Sequence, residues 1–197
     1  MKIITDSQKI KDVLERGVGD VIIKERLEAA LKLGKQLRVK FGIDPTAPDI
    51  HLGHAVPLRK LRSFQELGHQ VVLLIGDFTA TIGDPSGRAE ARKPLISEEV
   101  KKNMESYLAQ AGKIIDLKKA ETVYNNSWFA SEGAAKMVEL SSAGSIQQVL
   151  RRADFSKRLD EGSDITLLEV LYPLFQGYDS VKVKADVEIG GTDQLFN

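Results

Sequence analysis

The sequence predicts an α/β fold built on a parallel sheet, and three observations predict it. Val71-Val72-Leu73-Leu74-Ile75 is continuously apolar and bounded by His69-Gln70 and Gly76-Asp77, which suits a strand buried on both faces. A shorter run at 37–43 precedes it, and Leu58, Leu61, Phe64 and Leu67 step at helical spacing between the two. Strand, helix and strand within roughly 40 residues make a βαβ unit, whose crossover is expected to be right-handed. Both strands run into loops of Gly, Pro and Asp, at the strand ends where ligands gather in such sheets.

Taken in order, residues 7–17 and 20–33 read as helices. In the second, Val21, Ile22, Leu27, Ala30 and Leu31 recur near helical spacing and Gly34 is the stop. The strand at 37–43 ends at Asp44-Pro45, the helix at 54–67 ends at Gly68, and the strand at 71–75 follows. Ser97 with Glu98 and Glu99 opens a capped helix that runs to Gly112. Residues 114–124 look strand-like at their ends, and 131–160 are mostly helical and polar. The apolar stretch 165–176 reads as a helix broken by Pro173, and 181–189 alternates like a strand before Gly190-Gly191. A parallel sheet whose last strand is followed only by a turn is unfinished, so the sequence is expected to be truncated.

The 197 residues are 42% apolar and 28% charged, with Lys plus Arg equal to Asp plus Glu at 28 each. That balance gives no global basic field for nucleic acid, so an RNA contact must come from a local patch or from elsewhere in the protein. The absence of cysteine excludes disulfides, Cys-ligated zinc and thiol nucleophiles. Residues 1–17 lack the apolar core of a signal peptide, and no run approaches the ~20 apolar residues of a membrane helix. A cytoplasmic protein without membrane contact is expected. Asn125-Asn126-Ser127 matches a glycosylation sequon and is read as chance.

Four segments can carry chemistry. The first is Gly42-Ile43-Asp44-Pro45-Thr46, leading to His51-Leu52-Gly53-His54 where a strand hands over to a helix. Histidines three apart at a helix start point to one side, at a terminus that favours anions, and Gly53 leaves room for a base or phosphate. The imidazoles could donate hydrogen bonds to developing charge. The plain alternative is two structural histidines; a metal site lacks a recognisable third ligand. The second segment, Gly76 to Arg88 with Gly83-Asp84-Pro85-Ser86-Gly87 at its end, forms a tight loop that carries Asp77 and Asp84 to the same edge and lacks the Gly-Lys-Ser/Thr ending of a Walker loop.

The third set is Tyr172, Gln176 and Asp179, with Tyr178 beside the last; it could hold a small polar ligand. Tyr172 and Gln176 fall on one helical face. The alternative is core packing for Tyr172 and a loop position for Asp179. The fourth, Gly190-Gly191-Thr192-Asp193-Gln194, is a glycine turn with an acid that could accept ribose hydroxyls or merely cap a helix.

Together these segments resemble the class I aminoacyl-tRNA synthetases and, within them, the tyrosyl enzymes, from about residue 36 onward. The resemblance implies a Rossmann-like parallel sheet of a synthetase catalytic domain, incomplete and carrying a mostly helical insertion. It implies activation of tyrosine with ATP and Mg²⁺ and transfer to tRNA(Tyr). His51 and His54 would stabilise the pyrophosphate leaving group, with Thr46 assisting. Gly42, Asp44, Gly53, Gly191 and Asp193 would line the ATP site. Asp84, Tyr172 and Gln176 would hold the tyrosine α-amino group, with Gln194 near its carboxylate. Asp179 would accept the phenol hydroxyl, and no metal ligand is assigned.

The implied organisation is an N-terminal helical segment at 1–36 and the first half of the catalytic domain at 37–114. An insertion at 115–165 would form a homodimer interface, and 166–197 would begin the second half. Two departures stand out. Lys40 occupies the position where many bacterial tyrosyl enzymes place a second phenol-binding tyrosine. The family's mobile lysine signature is absent; Phe155-Ser156-Lys157-Arg158 is nearest, but precedes the tyrosine-binding helix. A smaller His-x-Gly-His nucleotidyltransferase, a tryptophanyl enzyme, and a non-catalytic fragment that only folds and dimerises remain alternatives.

Overall fold

The computed structural model describes residues 2–84 and 97–195. Two short helices come first, α1 (Ser7–Glu15) and α2 (Lys24–Lys32). Asp6 caps α1 by accepting the Lys9 N–H at 2.9 Å. The second helix begins later than its spacing predicts because Ile23 sits at φ 59°, a left-handed conformation that a helix cannot include.

The expected βαβ unit follows as β1 (Arg38–Ile43), α3 (Leu52–Glu66) and β2 (Gln70–Ile75). The strands pair in parallel, from Arg38 opposite Gln70 to Ile43 opposite Ile75. β3 (Glu121–Tyr124) pairs outside β2, and β4 (Val187–Ile189) pairs on the other side of β1, giving the order β3-β2-β1-β4. All pairings are parallel, as in the Rossmann-like sheet that the resemblance implies. The chain moves outward from β1 through β2 to β3, then returns to the opposite flank as β4. That reversal opens a crevice at the carboxyl ends of β1 and β4, where such sheets bind ligands.

The pleat divides the strand residues between two cores. Val39, Phe41, Ile43, Val71, Leu73 and Ile75 face Leu58, Leu61 and Phe64 of α3 and Ile10, Val13 and Leu14 of α1. On the opposite face Val72 and Leu74 meet Trp128, Phe129, Tyr172 and Phe175. Each fully buried side chain of this size contributes about 1.5–3 kcal/mol of transfer free energy. This two-sided burial explains why β2 reads as an unbroken apolar run.

The remaining helices are α4 (Ser97–Ala111), α5 (Asn126–Ser141), α6 (Ile146–Leu150), α7 (Ala153–Asp160) and α8 (Leu167–Lys182). The 131–160 stretch is thus helical, with α5 interrupted at Gly133, whose φ is 65°. Two expectations need correction. Pro173 does not break its helix: α8 continues to Lys182, nailed at its start by a reciprocal Thr166–Glu169 capping box. Glu169 also receives the buried Arg158 guanidinium at 2.6 Å. Burial of Tyr172 and Phe175 against the sheet outweighs the ~3 kcal/mol that a helix-interior proline costs. Consequently the alternating run at 181–189 is not one strand. Its first residues finish α8, Lys184 turns at φ 52°, and only Val187–Ile189 pairs with the sheet. No helix of the described residues is long and apolar enough to cross a membrane.

Candidate active site

The histidine corner is built by local backbone chemistry. His51 is the N-cap of α3, and its Nδ1 accepts the Gly53 N–H at 3.1 Å. The Nδ1 of His54 accepts the His51 N–H at 3.3 Å, so the two imidazoles satisfy backbone donors at the helix start. Their rings stack with centroids 4.0 Å apart. With Nδ1 an acceptor, the neutral imidazole carries its proton on Nε2 and is a donor without being charged. The helix terminus adds partial positive charge. Gly53 has a steric reason as well: a Cβ there would stand 2.8 Å from Cε1 of His51.

The opposite side of the crevice is a buried hydrogen-bond chain. Tyr172 of α8 donates from its hydroxyl to Asp44 Oδ2 at 2.8 Å, and Thr79 donates to Asp44 Oδ1 at 2.7 Å. Asn125 donates from Nδ2 to Thr79 Oγ1 at 3.0 Å and to Asp179 Oδ2 at 3.1 Å. Trp128 Nε1 donates to Asp179 Oδ1 at 3.0 Å. The Asn125 carbonyl accepts the Phe78 N–H at 2.8 Å, which pins the loop after β2 to the end of β3. The chain thus ties together the ends of β1, β2 and β3 and the middle of α8. Gly76 is required for it, because a Cβ would fall 1.9 Å from Asp44 Oδ1.

Burial pushes the Asp44 carboxyl up to about 7 despite its bonds from Thr79 and Tyr172, and Asp84 and Asp179 add to the rise. Burial likewise raises Asp179 to about 6, although Lys40 and the bonds from Asn125 and Trp128 hold it down. The Tyr172 phenol is driven well above its ordinary range by burial and the nearby acids. Two carboxyls raised by burial, Asp44 and Asp179, thus lie close together with the half-buried Asp84 beside Asp44, an arrangement that favours an added cation. Asp84 accepts the Gln194 amide at 3.1 Å, which brings the loop after β2 against the turn after β4. There Gly191 lets the Asp193 carboxylate fold back, since a Cβ would lie 2.3 Å from its Oδ1.

Among the predicted residues, Asp44, Tyr172 and Asp179 thus belong to one network, with Asp84 coupled to it through charge and to Gln194 by a hydrogen bond. Asp179 lies within α8 and is only 2% exposed, so the loop alternative is excluded. Gln176 sits one turn before Ser180, with its carbonyl turned to Lys40 Nζ at 3.3 Å. Thr46 follows β1 and donates its N–H to the Asp44 carbonyl at 2.8 Å. Gly42 is in β1, where a Cβ would meet only ordinary contacts, the nearest at 3.5 Å. Pro85, Ser86 and Gly87 lie outside the described residues. Thr79 lies within the second predicted segment but has no role assigned from sequence, and Asn125 and Trp128 are not predicted at all; their one signal is position at the carboxyl edge of the sheet. A separate cavity between α1 and α3, lined by Lys9, Arg16, Arg59 and Lys60, includes none of these residues.

The family model described as class I tRNA synthetases (W and Y) matches residues 32–197. The Tyrosine–tRNA ligase of Carboxydothermus hydrogenoformans is 50% identical over 190 residues, covering 94% of this chain and 46% of that protein. That of Deinococcus radiodurans is 53% identical over 187 residues, with the same coverage of 94% and 46%. The chain spans about half the length of the curated relatives it matches. A C-terminally truncated mitochondrial tyrosyl-tRNA synthetase of Aspergillus nidulans superimposes with a TM-score of 0.79 at 26% identity, over 94% of this chain and 57% of that one. The tyrosyl-tRNA synthetase of Archaeoglobus fulgidus complexed with L-tyrosine shares the fold, with a TM-score of 0.78 at 21% identity over 96% and 56% of the two chains. With the family model matching residues 32–197 and the fold shared with these solved structures, the chain belongs to the class I tRNA synthetases of the tryptophanyl and tyrosyl group.

Proposed function

We propose that the protein carrying this chain is a tyrosine–tRNA ligase, and that the chain supplies its tyrosine pocket and the histidine side of its ATP site. The carrying observation is a buried carboxylate, Asp179, clamped by Trp128 and Asn125, with the half-buried Asp44 and Asp84 joined to it through hydrogen bonds and charge. Such a site has an acceptor for a phenol hydroxyl at one end and negative charge for an ammonium at the other. Tryptophan presents no hydroxyl, which favours tyrosine within the group.

In the proposed reaction a carboxylate oxygen of tyrosine attacks the α-phosphorus of ATP. The bond to the bridging oxygen breaks, pyrophosphate leaves, and tyrosyl-adenylate remains. No side-chain nucleophile is required; positioning and charge stabilisation suffice. His51 and His54 donate from Nε2 to the departing phosphates, with Thr46 beside them. Gly42 and Gly53 admit the nucleotide, and Gly191 and Asp193 meet the ribose. Asp84, Tyr172 and Gln176 hold the α-ammonium, Gln194 lies by the tyrosine carboxylate, and Asp44 stands between the two substrates. Among the described residues no group of three or more His, Asp or Glu side chains could hold a metal. Magnesium is therefore assigned no residue here and arrives with the ATP phosphates, as suits an ion that bridges phosphates and keeps its waters. A terminal ribose hydroxyl of tRNA(Tyr) then attacks the activated carbonyl, releasing AMP.

The proposal extends to a cytoplasmic homodimer formed through 115–165, supported by the exposed Val138 and Ile146. Tyrosine-stimulated exchange of pyrophosphate into ATP by the full-length protein tests the function, with phenylalanine and tryptophan as controls. Stimulation by tyrosine alone is expected. Stimulation by tryptophan, or by no amino acid, would overturn the proposal.

A further inference from the structure

Lys40 lies in the centre of β1, is fully buried, and faces α8. The strand register sets it directly opposite Glu188 of β4. Its Nζ donates to Glu188 Oε1 at 2.8 Å, to Ser180 Oγ at 2.9 Å and to the Gln176 carbonyl at 3.3 Å. An ammonium has three N–H donors, and these three acceptors use them all. Lys40 therefore has no proton to offer a ligand. It cannot replace, contact for contact, the tyrosine that many bacterial tyrosyl enzymes carry at this position.

Two of its acceptors, however, bracket Asp179: Gln176 lies one turn before it on α8 and Ser180 directly after it. The ammonium thus sits beneath the turn that presents the hydroxyl acceptor. Cohesion alone explains this poorly, because Glu188 keeps 37% of its side chain exposed, which weakens the pair, and an apolar residue of similar volume would commonly hold position 40 as well.

We infer that Lys40 is a positioning residue whose buried ammonium keeps Asp179 ionised, so that tyrosine is selected over phenylalanine by one charged acceptor rather than by a pair of hydroxyl contacts. The inference rests on the tyrosine-pocket reading. The groups facing Asp179 are Lys40 of β1, Glu188 of β4, Asn125 and Trp128 at the start of α5, and Asp44 and Tyr172 on the crevice side. Burial raises the Asp179 carboxyl; Lys40 is the leading influence that lowers it, and Glu188 raises it further. The two partners of one ion pair therefore act on Asp179 with opposite signs.

The test is the tyrosine-to-phenylalanine ratio of kcat/KM in pyrophosphate exchange by the full-length protein, followed from pH 5.5 to 9. Both amino acids carry the same α-ammonium, so the ratio cancels Asp44 and Asp84 and isolates the hydroxyl end. In Lys40→Met the pH at which the ratio collapses should rise by about one to two units. The ratio should then fall about 3- to 25-fold near pH 6.5 and recover by pH 9 as Asp179 ionises. In Glu188→Gln the collapse should move to lower pH. A Lys40→Met ratio that does not move, a loss that high pH does not rescue, or shifts of the same sign in both variants would overturn the inference. If Lys40→Met does not fold, the direction in Glu188→Gln decides alone. A wild-type protein without tyrosine preference, or an Asp179→Asn variant that keeps it, would instead sink the pocket reading and the inference with it.

Discussion

The two sides of the crevice are built by opposite means. The histidine corner is made within four consecutive residues, 51–54, by side chains that satisfy their own helix terminus, and His51 stays exposed. The carboxylate side joins residues 35, 46, 54 and 128 positions apart through hydrogen bonds that are largely buried. Exposed, locally satisfied groups can be removed with little effect on the fold. A buried network is different, because deleting one member leaves its partners unsatisfied in a low dielectric. Function and stability should therefore separate at the first side and couple at the second.

The largest effect is expected where selectivity depends on the buried side. Asp179→Ala removes the proposed hydroxyl acceptor. Sites built to bond a substrate hydroxyl reject the analogue lacking it by ~10⁴–10⁵, a ratio known from the tyrosyl enzymes themselves. The variant should lose most of that discrimination in pyrophosphate exchange with tyrosine and phenylalanine. Asn125 and Trp128 lose their common acceptor, so a fall in thermal stability should accompany it. Unchanged selectivity would remove Asp179 from the pocket.

A smaller effect, confined to chemistry, is expected at the exposed side. His51→Ala should slow adenylate formation ~10²–10³-fold, the usual cost of one donor to developing charge. Calorimetric affinity for tyrosine should stay unchanged, and stability should fall by only the about 0.5–2 kcal/mol of a lost helix cap. A large stability loss would mean that the corner is structural.

The same contrast explains what could be read from the sequence. Gly42–Thr46 and His51–His54 are contiguous, so their chemistry was legible from residue types and spacing. The β1–α3–β2 unit was legible because burial on both faces leaves an unbroken apolar run. Asn125, Trp128 and Thr79 were not, since their roles arise only when three strand ends meet, and Asn125 passed for part of a chance sequon. Lys40 could be seen as a departure but not explained, because Glu188 lies 148 residues away in sequence. The helix through Pro173 differs from its local signal for a related reason: a breaking residue yields to tertiary packing that local pattern does not encode.

The smallest effect is the most particular to a buried acid, and its sign is unusual. Asp44 has an ordinary carboxyl value of 3.8 and sits at about 7 in the fold, raised by burial first and by Asp84 and Asp179 after that. A raised carboxyl binds its proton more tightly when folded. Its stabilising contribution is complete below about pH 4 and is lost as pH rises through about 7. Ionised Asp44 therefore works against folding at pH 8. Asp44→Asn keeps the shape and an acceptor for Tyr172 while removing the charge. It should be about 1–3 kcal/mol more stable than wild type at pH 8, a discounted share of the full shift because Asp44 keeps some solvent contact, and nearly equal to it at pH 4. Denaturant unfolding at the two pH values measures this difference. Adenylate formation should nevertheless fall, since in the proposed function Asp44 stands between the two substrates and its charge would be missing there. A variant no more stable at pH 8 than at pH 4, relative to wild type, would show that Asp44 is solvated well enough to ionise without cost, and the two sides of the crevice would then differ less than their burial implies.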